Sequence, residues 1–113
     1  MRNSEINFKI ALDDNSIPEK IEWNATDKPN DAASETRAIA ISLWDEEQRN
    51  TMRMDLWTKE MTVTEMKRFC VDSIGGLADT IRNATSDDFM ADEMNTLCQK
   101  LVKHLEKEMT GQQ

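Results

Sequence analysis

The sequence predicts an α+β fold, a four-stranded antiparallel sheet followed by two C-terminal helices packed on one face of it. Two observations carry this expectation. Up to Trp57, apolar residues recur with period two in four runs, the spacing of half-buried strands. After Thr62 the apolar spacing changes to three and four, the spacing of one helix face. Strands grouped ahead of helices favour segregated layers over an alternating parallel sheet.

The first strand, Ser4 to Leu12, places Ile6, Phe8, Ile10 and Leu12 on one face and Asn7, Lys9 and Ala11 on the other. Asp13-Asp14-Asn15-Ser16 is turn material, because short polar side chains bond to nearby backbone and tolerate unusual dihedrals. The second run, Ile17 to Ala25, sets Ile17, Ile21, Trp23 and Ala25 against Lys20, Glu22 and Asn24. Pro18 donates nothing to a ladder, so this strand begins at Glu19 or lies at an edge. Thr26 to Glu35, with Pro29 and Asn30, reads as the longest loop.

The third and fourth strands, Arg37 to Trp44 and Thr51 to Trp57, form a hairpin through Glu46 to Asn50. Its register puts Ile39, Ile41, Leu43, Met52, Met54 and Leu56 on the core face, with Trp44 and Trp57 on the opposite one. Trp57 is expected across from Ala38 or Ala40, whose small side chains leave room for its ring, and Arg53 beside Trp44 as a cation neighbour. Two indoles on a face that would otherwise meet water imply that something covers it. The long loop or the second helix is one cover; a second copy or a protein partner is the other, since aromatic residues are enriched at interface cores. On the second reading Trp44, Trp57, Arg53, Ala38 and Ala40 form the partner-binding patch.

Thr62-Val63-Thr64-Glu65 has capping-box spacing and opens the first helix. Its stripe is Val63, Met66, Cys70, Ile74, Leu77, Ile81 and Ala84. Gly75-Gly76 interrupts it without shifting the stripe, which suggests close approach of another backbone rather than a kink. Ser86-Asp87-Asp88 caps a second helix whose stripe is Met90, Met94, Leu97, Leu101 and Leu105, widened by Cys98 and Val102. Lys100, Lys103, His104 and Lys107 gather toward its C-terminus, as the helix dipole favours, and Gly111 ends it.

With 113 residues the chain reads as a single domain. A formal charge of -8 disfavours non-specific attraction to nucleic acid or to an anionic membrane. The start lacks the apolar stretch of a secretory leader and no run is long enough to span a bilayer, so a cytoplasmic, non-membrane-spanning chain is expected. Cys70 and Cys98 are then reduced, buried members of the helix stripes.

No catalytic, cofactor or metal site is expected. The single histidine, His104, has only acids such as Glu108 at helical spacing, and Asp13-Asp14-Asn15 lacks the glycine and glutamate of a calcium loop. Three glycines leave little material for a phosphate cradle. Met52, Met54, Met66, Met90 and Met94 all fall on core stripes.

Ser4-Glu5-Ile6-Asn7-Phe8, Ile17-Pro18-Glu19-Lys20-Ile21, Trp23-Asn24-Ala25-Thr26-Asp27 and Asp55-Leu56-Trp57-Thr58-Lys59 resemble the gliding-motility-associated GldC family of small soluble bacterial proteins. The resemblance extends over nearly the whole chain. It implies a non-enzymatic cytoplasmic accessory of surface gliding and the associated type IX secretion machinery, with protein partners there, and it brings no catalytic residue with it. The indole face adds the expectation of a homo-oligomer. The order of elements is also similar to the SecB export chaperone, whose likeness implies an alternative role in binding unfolded secretory clients; that likeness is one of topology alone.

Overall fold

The computed structural model describes residues 1–28 and 34–111. Its elements are β1 (Ile6–Leu12), β2 (Pro18–Ala25), β3 (Ser34–Thr36), β4 (Ala38–Asp45), β5 (Asn50–Trp57), α1 (Val63–Thr85) and α2 (Asp88–Thr110). They fall into two compact units, Met1–Met61 and Thr62–Gln113.

In the first unit the expected four-stranded sheet is replaced by two sheets, a three-stranded one in the order β1-β2-β3 and a separate hairpin β4-β5. The end of the expected long loop is strand β3, which pairs with β2 as Ile21 to Thr36 and Trp23 to Ser34; positions 29–33 of that loop lie outside the described residues. Only Arg37 separates β3 from β4. The β2-β3 ladder ends at Ile21 and Thr36, before it would reach Pro18. Thr36 donates its hydroxyl to the Ala38 carbonyl at 3.1 Å.

Along β1-β2 the apolar parity is as the sequence predicts. Phe8 faces Trp23 and Ile10 faces Ile21, with a register shift at Ala11/Leu12. Ile21 is the largest fully buried side chain, and Ala38 and Ile39 are buried with it in this unit. The turn after β1 closes through Asp13, whose carboxylate accepts from the N–H groups of Asn15 and Ile17 at 2.8 and 3.0 Å, while Ser16 takes a left-handed conformation.

The second unit is an antiparallel helix pair. Lys67 meets Glu108 at one end, and Arg82 meets both Asp88 and Asp92 at the other. The predicted capping box is present: Thr62 accepts from the Glu65 N–H and the Glu65 carboxylate accepts from the Thr62 N–H, both at 3.0 Å. Asp87 caps α2 through the Met90 N–H at 2.9 Å. Val71, Ala78 and Ala91 are buried in this unit, small side chains that let helix backbones approach.

Several expected core positions are not buried. Leu43 is 60% exposed and Met52 and Met54 are 56% exposed, although their parity puts them on the hairpin's apolar face. Met90 and Cys70 are exposed too, while Met66, Met94 and Cys98 are half-buried. The expected close approach at the glycine pair is not seen. A Cβ on Gly75 would meet only Cys98 Sγ at 4.0 Å, and one on Gly76 would meet nothing.

Candidate functional site: the indole face of the hairpin

The hairpin turn fixes which side chains share a face. Asp45 accepts from the N–H groups of Glu47 and Gln48 at 3.0 and 3.2 Å, and its carbonyl accepts from Arg49 N–H at 2.7 Å. Arg49 has a positive φ of 55°, which closes the reversal. The ladder that follows sets Trp44 opposite Thr51, Ser42 opposite Arg53, Ala40 opposite Asp55 and Ala38 opposite Trp57. Directly opposed residues in an antiparallel pair project to the same side. Both indoles therefore lie on one face, with Ile39, Ile41 and Leu43 paired to Leu56, Met54 and Met52 on the other.

Trp44 is 58% and Trp57 51% exposed. Ala38, across from Trp57, is only 7% exposed and forms the floor beside that ring rather than contact area; Ala40 is exposed. Ile17, Pro18, Asp55, Leu56 and Trp57 line an open cleft of about 240 Å³ at this end. At the other end the cation over the Trp44 ring is Arg49, its guanidinium 6.0 Å from the ring centroid, and not Arg53 as the sequence suggested. Arg53 is engaged in the middle of the face, with Nη2 2.7 Å from Asp55 Oδ1 and Nη1 donating to Ser42 Oγ. Ser42 and Asp55 were missed by sequence reasoning, although both have the same strand parity as Arg53.

The face therefore consists of two indoles at its ends with a satisfied Arg53–Asp55–Ser42 cluster between them. It offers apolar area and directional polar groups, the composition of a protein contact. Elsewhere, His104 is exposed with its Nε2 3.7 Å from Glu108. Among the described residues no group of three His, Cys, Asp or Glu side chains is placed to hold a metal ion, and no helix is long and apolar enough to cross a membrane. In the helix pair a groove of about 420 Å³ runs past Phe69, Val102, Leu105 and Met109; the Arg68 and Asp72 on its lining are paired with each other at 3.1 Å.

No curated protein and no solved structure matches the chain. A family model described as gliding motility-associated protein GldC-like matches residues 18–107, a span that takes in β2, the whole hairpin and nearly all of the helix pair. The chain belongs to the GldC-like family of gliding motility-associated proteins.

Proposed function

We propose that this protein is a non-enzymatic accessory of bacterial gliding and of the associated type IX secretion machinery, working in the cytoplasm by protein–protein contact through the indole face of β4-β5. The observation that carries this reading is the pair of half-exposed indoles held on one face by an unbroken ladder. Exposed tryptophans at fixed separation, with an arginine between them, are the residue types that dominate binding energy at protein interfaces. Membership of a gliding motility-associated family supports gliding as the process concerned.

Replacing Trp44 and Trp57 together by Ser in a gliding cell tests it. The expected result is loss of gliding and of crosslinked partner capture, with far-ultraviolet circular dichroism unchanged. Normal gliding by cells whose folded variant lacks both indoles overturns the reading.

A second reading is favoured by the opposite face, where Leu43, Met52 and Met54 stand exposed together. Flexible thioether chains suit adaptable contact with varied apolar segments, as a SecB-like holdase would need. Suppression of aggregation of an unfolded client, lost in a Met52→Ser, Met54→Ser variant and retained in the tryptophan variant, would select this second reading.

A further inference from the structure

We propose that two copies of this chain join edge to edge through β5, antiparallel and centred on Met54, to make a four-stranded sheet in the order β4-β5-β5-β4. The proposal goes beyond the partner-binding reading: it stands on the open edge of β5 and on the charge pattern of Arg53 and Asp55 along that edge.

The first ground is hydrogen-bond direction. The hairpin ladder is anchored where Thr58 N–H donates to the Arg37 carbonyl at 2.8 Å. Alternate residues of an antiparallel strand bond to one neighbour and the rest point away. Counting from that anchor through the observed register, Met52, Met54 and Leu56 direct their backbone groups toward β4. Thr51, Arg53, Asp55 and Trp57 direct theirs outward, to an edge that no strand occupies among the described residues. An open edge of this length is a template for pairing with another chain.

The second ground is self-complementarity. A two-fold axis through Met54 would place Arg53 against Asp55 of the second copy, and Asp55 against its Arg53. Thr51 would meet Trp57, Met52 would meet Leu56, and Met54 would meet itself. All the outward-pointing residues then become hydrogen-bonded pairs, and both cross-strand charge pairs are of opposite sign, extending the Arg53–Asp55 pair that each copy already makes within itself. Sliding by two residues either way spoils this, since it sets Arg53 against Arg53 or Asp55 against Asp55, and like charges directly opposed are destabilising.

The third ground is that the hairpin needs neighbours. A two-stranded sheet is marginal in water, while three or more strands with an apolar face are stable. Pairing at β5 would place the half-exposed Met52 and Met54 of both copies on one continuous apolar face and leave Trp44 and its surroundings open on the other.

Charge reversal tests the register without touching the core. Arg53→Glu and Asp55→Arg each put two like-charge pairs in the joint, and each alone should weaken dimerisation about tenfold or more. Mixed together, the two variants restore opposite charges at both positions. The expected result is that wild-type protein sediments as a dimer, each variant as a folded monomer, and the equimolar mixture again as a dimer. Wild-type protein that stays monomeric, or variants that dimerise as well as wild type, overturn the proposal. So does a mixture that fails to recover the dimer. Partner capture through the indole face is read separately, by pull-down with a Trp44→Ser variant, whose changed residue lies on β4 outside the joint, so either idea can fail while the other survives.

Discussion

The ammonium of Lys59 lies 2.7 Å from the Asp13 carboxylate, joining the β1-β2 turn to the residue two places beyond β5. The same nitrogen is 3.7 Å from Glu19. This tie links the two sheets of the first unit where the backbone ladder between them is broken. Asp13 is well placed for it, because one of its oxygens is already committed to the N–H groups of Asn15 and Ile17 and its side chain is only 13% exposed.

The Lys59 hydrogen bond, followed by the Ile17 N–H, holds the Asp13 carboxyl down to about 2, against an opposing effect of partial desolvation. A carboxyl lowered on folding contributes stability that is present above its unfolded value, near 4, and lost as pH falls toward its folded value. The Asp13→Asn variant keeps an oxygen for the turn but loses the charge. Its melting temperature should fall below wild type at neutral pH, and the difference should close as pH drops from 4 to 2. A difference that persists at pH 2 would show that the turn, not the ion pair, is what the substitution damages. Lys59 is raised by the same contact, so its share of the stability fades only as pH rises past the ordinary lysine range.

The two cysteines should behave differently, although the sequence puts both on apolar stripes. Cys98 is half-buried, with its thiol 3.7 Å from the Val71 carbonyl, whereas Cys70 is exposed. Cys98→Ala should cost about 1 kcal/mol through lost packing, and Cys70→Ala close to nothing. A thiol reagent added to native protein should modify Cys70 first. Equal rates of modification would place the two thiols in equivalent surroundings and contradict the observed burial.

The contrast between the cysteines shows where sequence pattern was informative and where it was not. Period-two alternation located β1, β2, β4 and β5 to within a residue or two, and put Trp57 across from Ala38 or Ala40, of which Ala38 is the partner observed, because side-chain parity and turn length together constrain a hairpin register. The capping box at Thr62 was legible because its chemistry is local. Periodicity reports which face of an element is apolar but not whether a neighbour is present to cover it; Leu43, Met52 and Met54 have the right parity and are exposed all the same. The ladder between β2 and β3 stops at Ile21 and Thr36, and side-chain alternation gives no sign of where such a ladder ends. Arg49 reached Trp44 instead of Arg53 because a residue with positive φ projects its side chain in a direction that strand alternation does not describe.

The glycine pair in α1 gives the last prediction. Gly75 and Gly76 both lie in an unbroken helix from Val63 to Thr85, and neither has the positive φ that would require glycine. Glycine in a helix interior costs roughly 1 kcal/mol relative to alanine, mainly in backbone entropy. At Gly76 an added Cβ would meet nothing within 4 Å, and at Gly75 it would reach Cys98 Sγ at 4.0 Å, an ordinary contact. Gly76→Ala should therefore stabilise the helix pair by about 0.5–1 kcal/mol in urea unfolding, and Gly75→Ala by a similar or smaller amount. If Gly76→Ala instead destabilises the protein or blocks self-association, another backbone packs against α1 at that point when the protein is assembled, and the small side chain is kept for that contact.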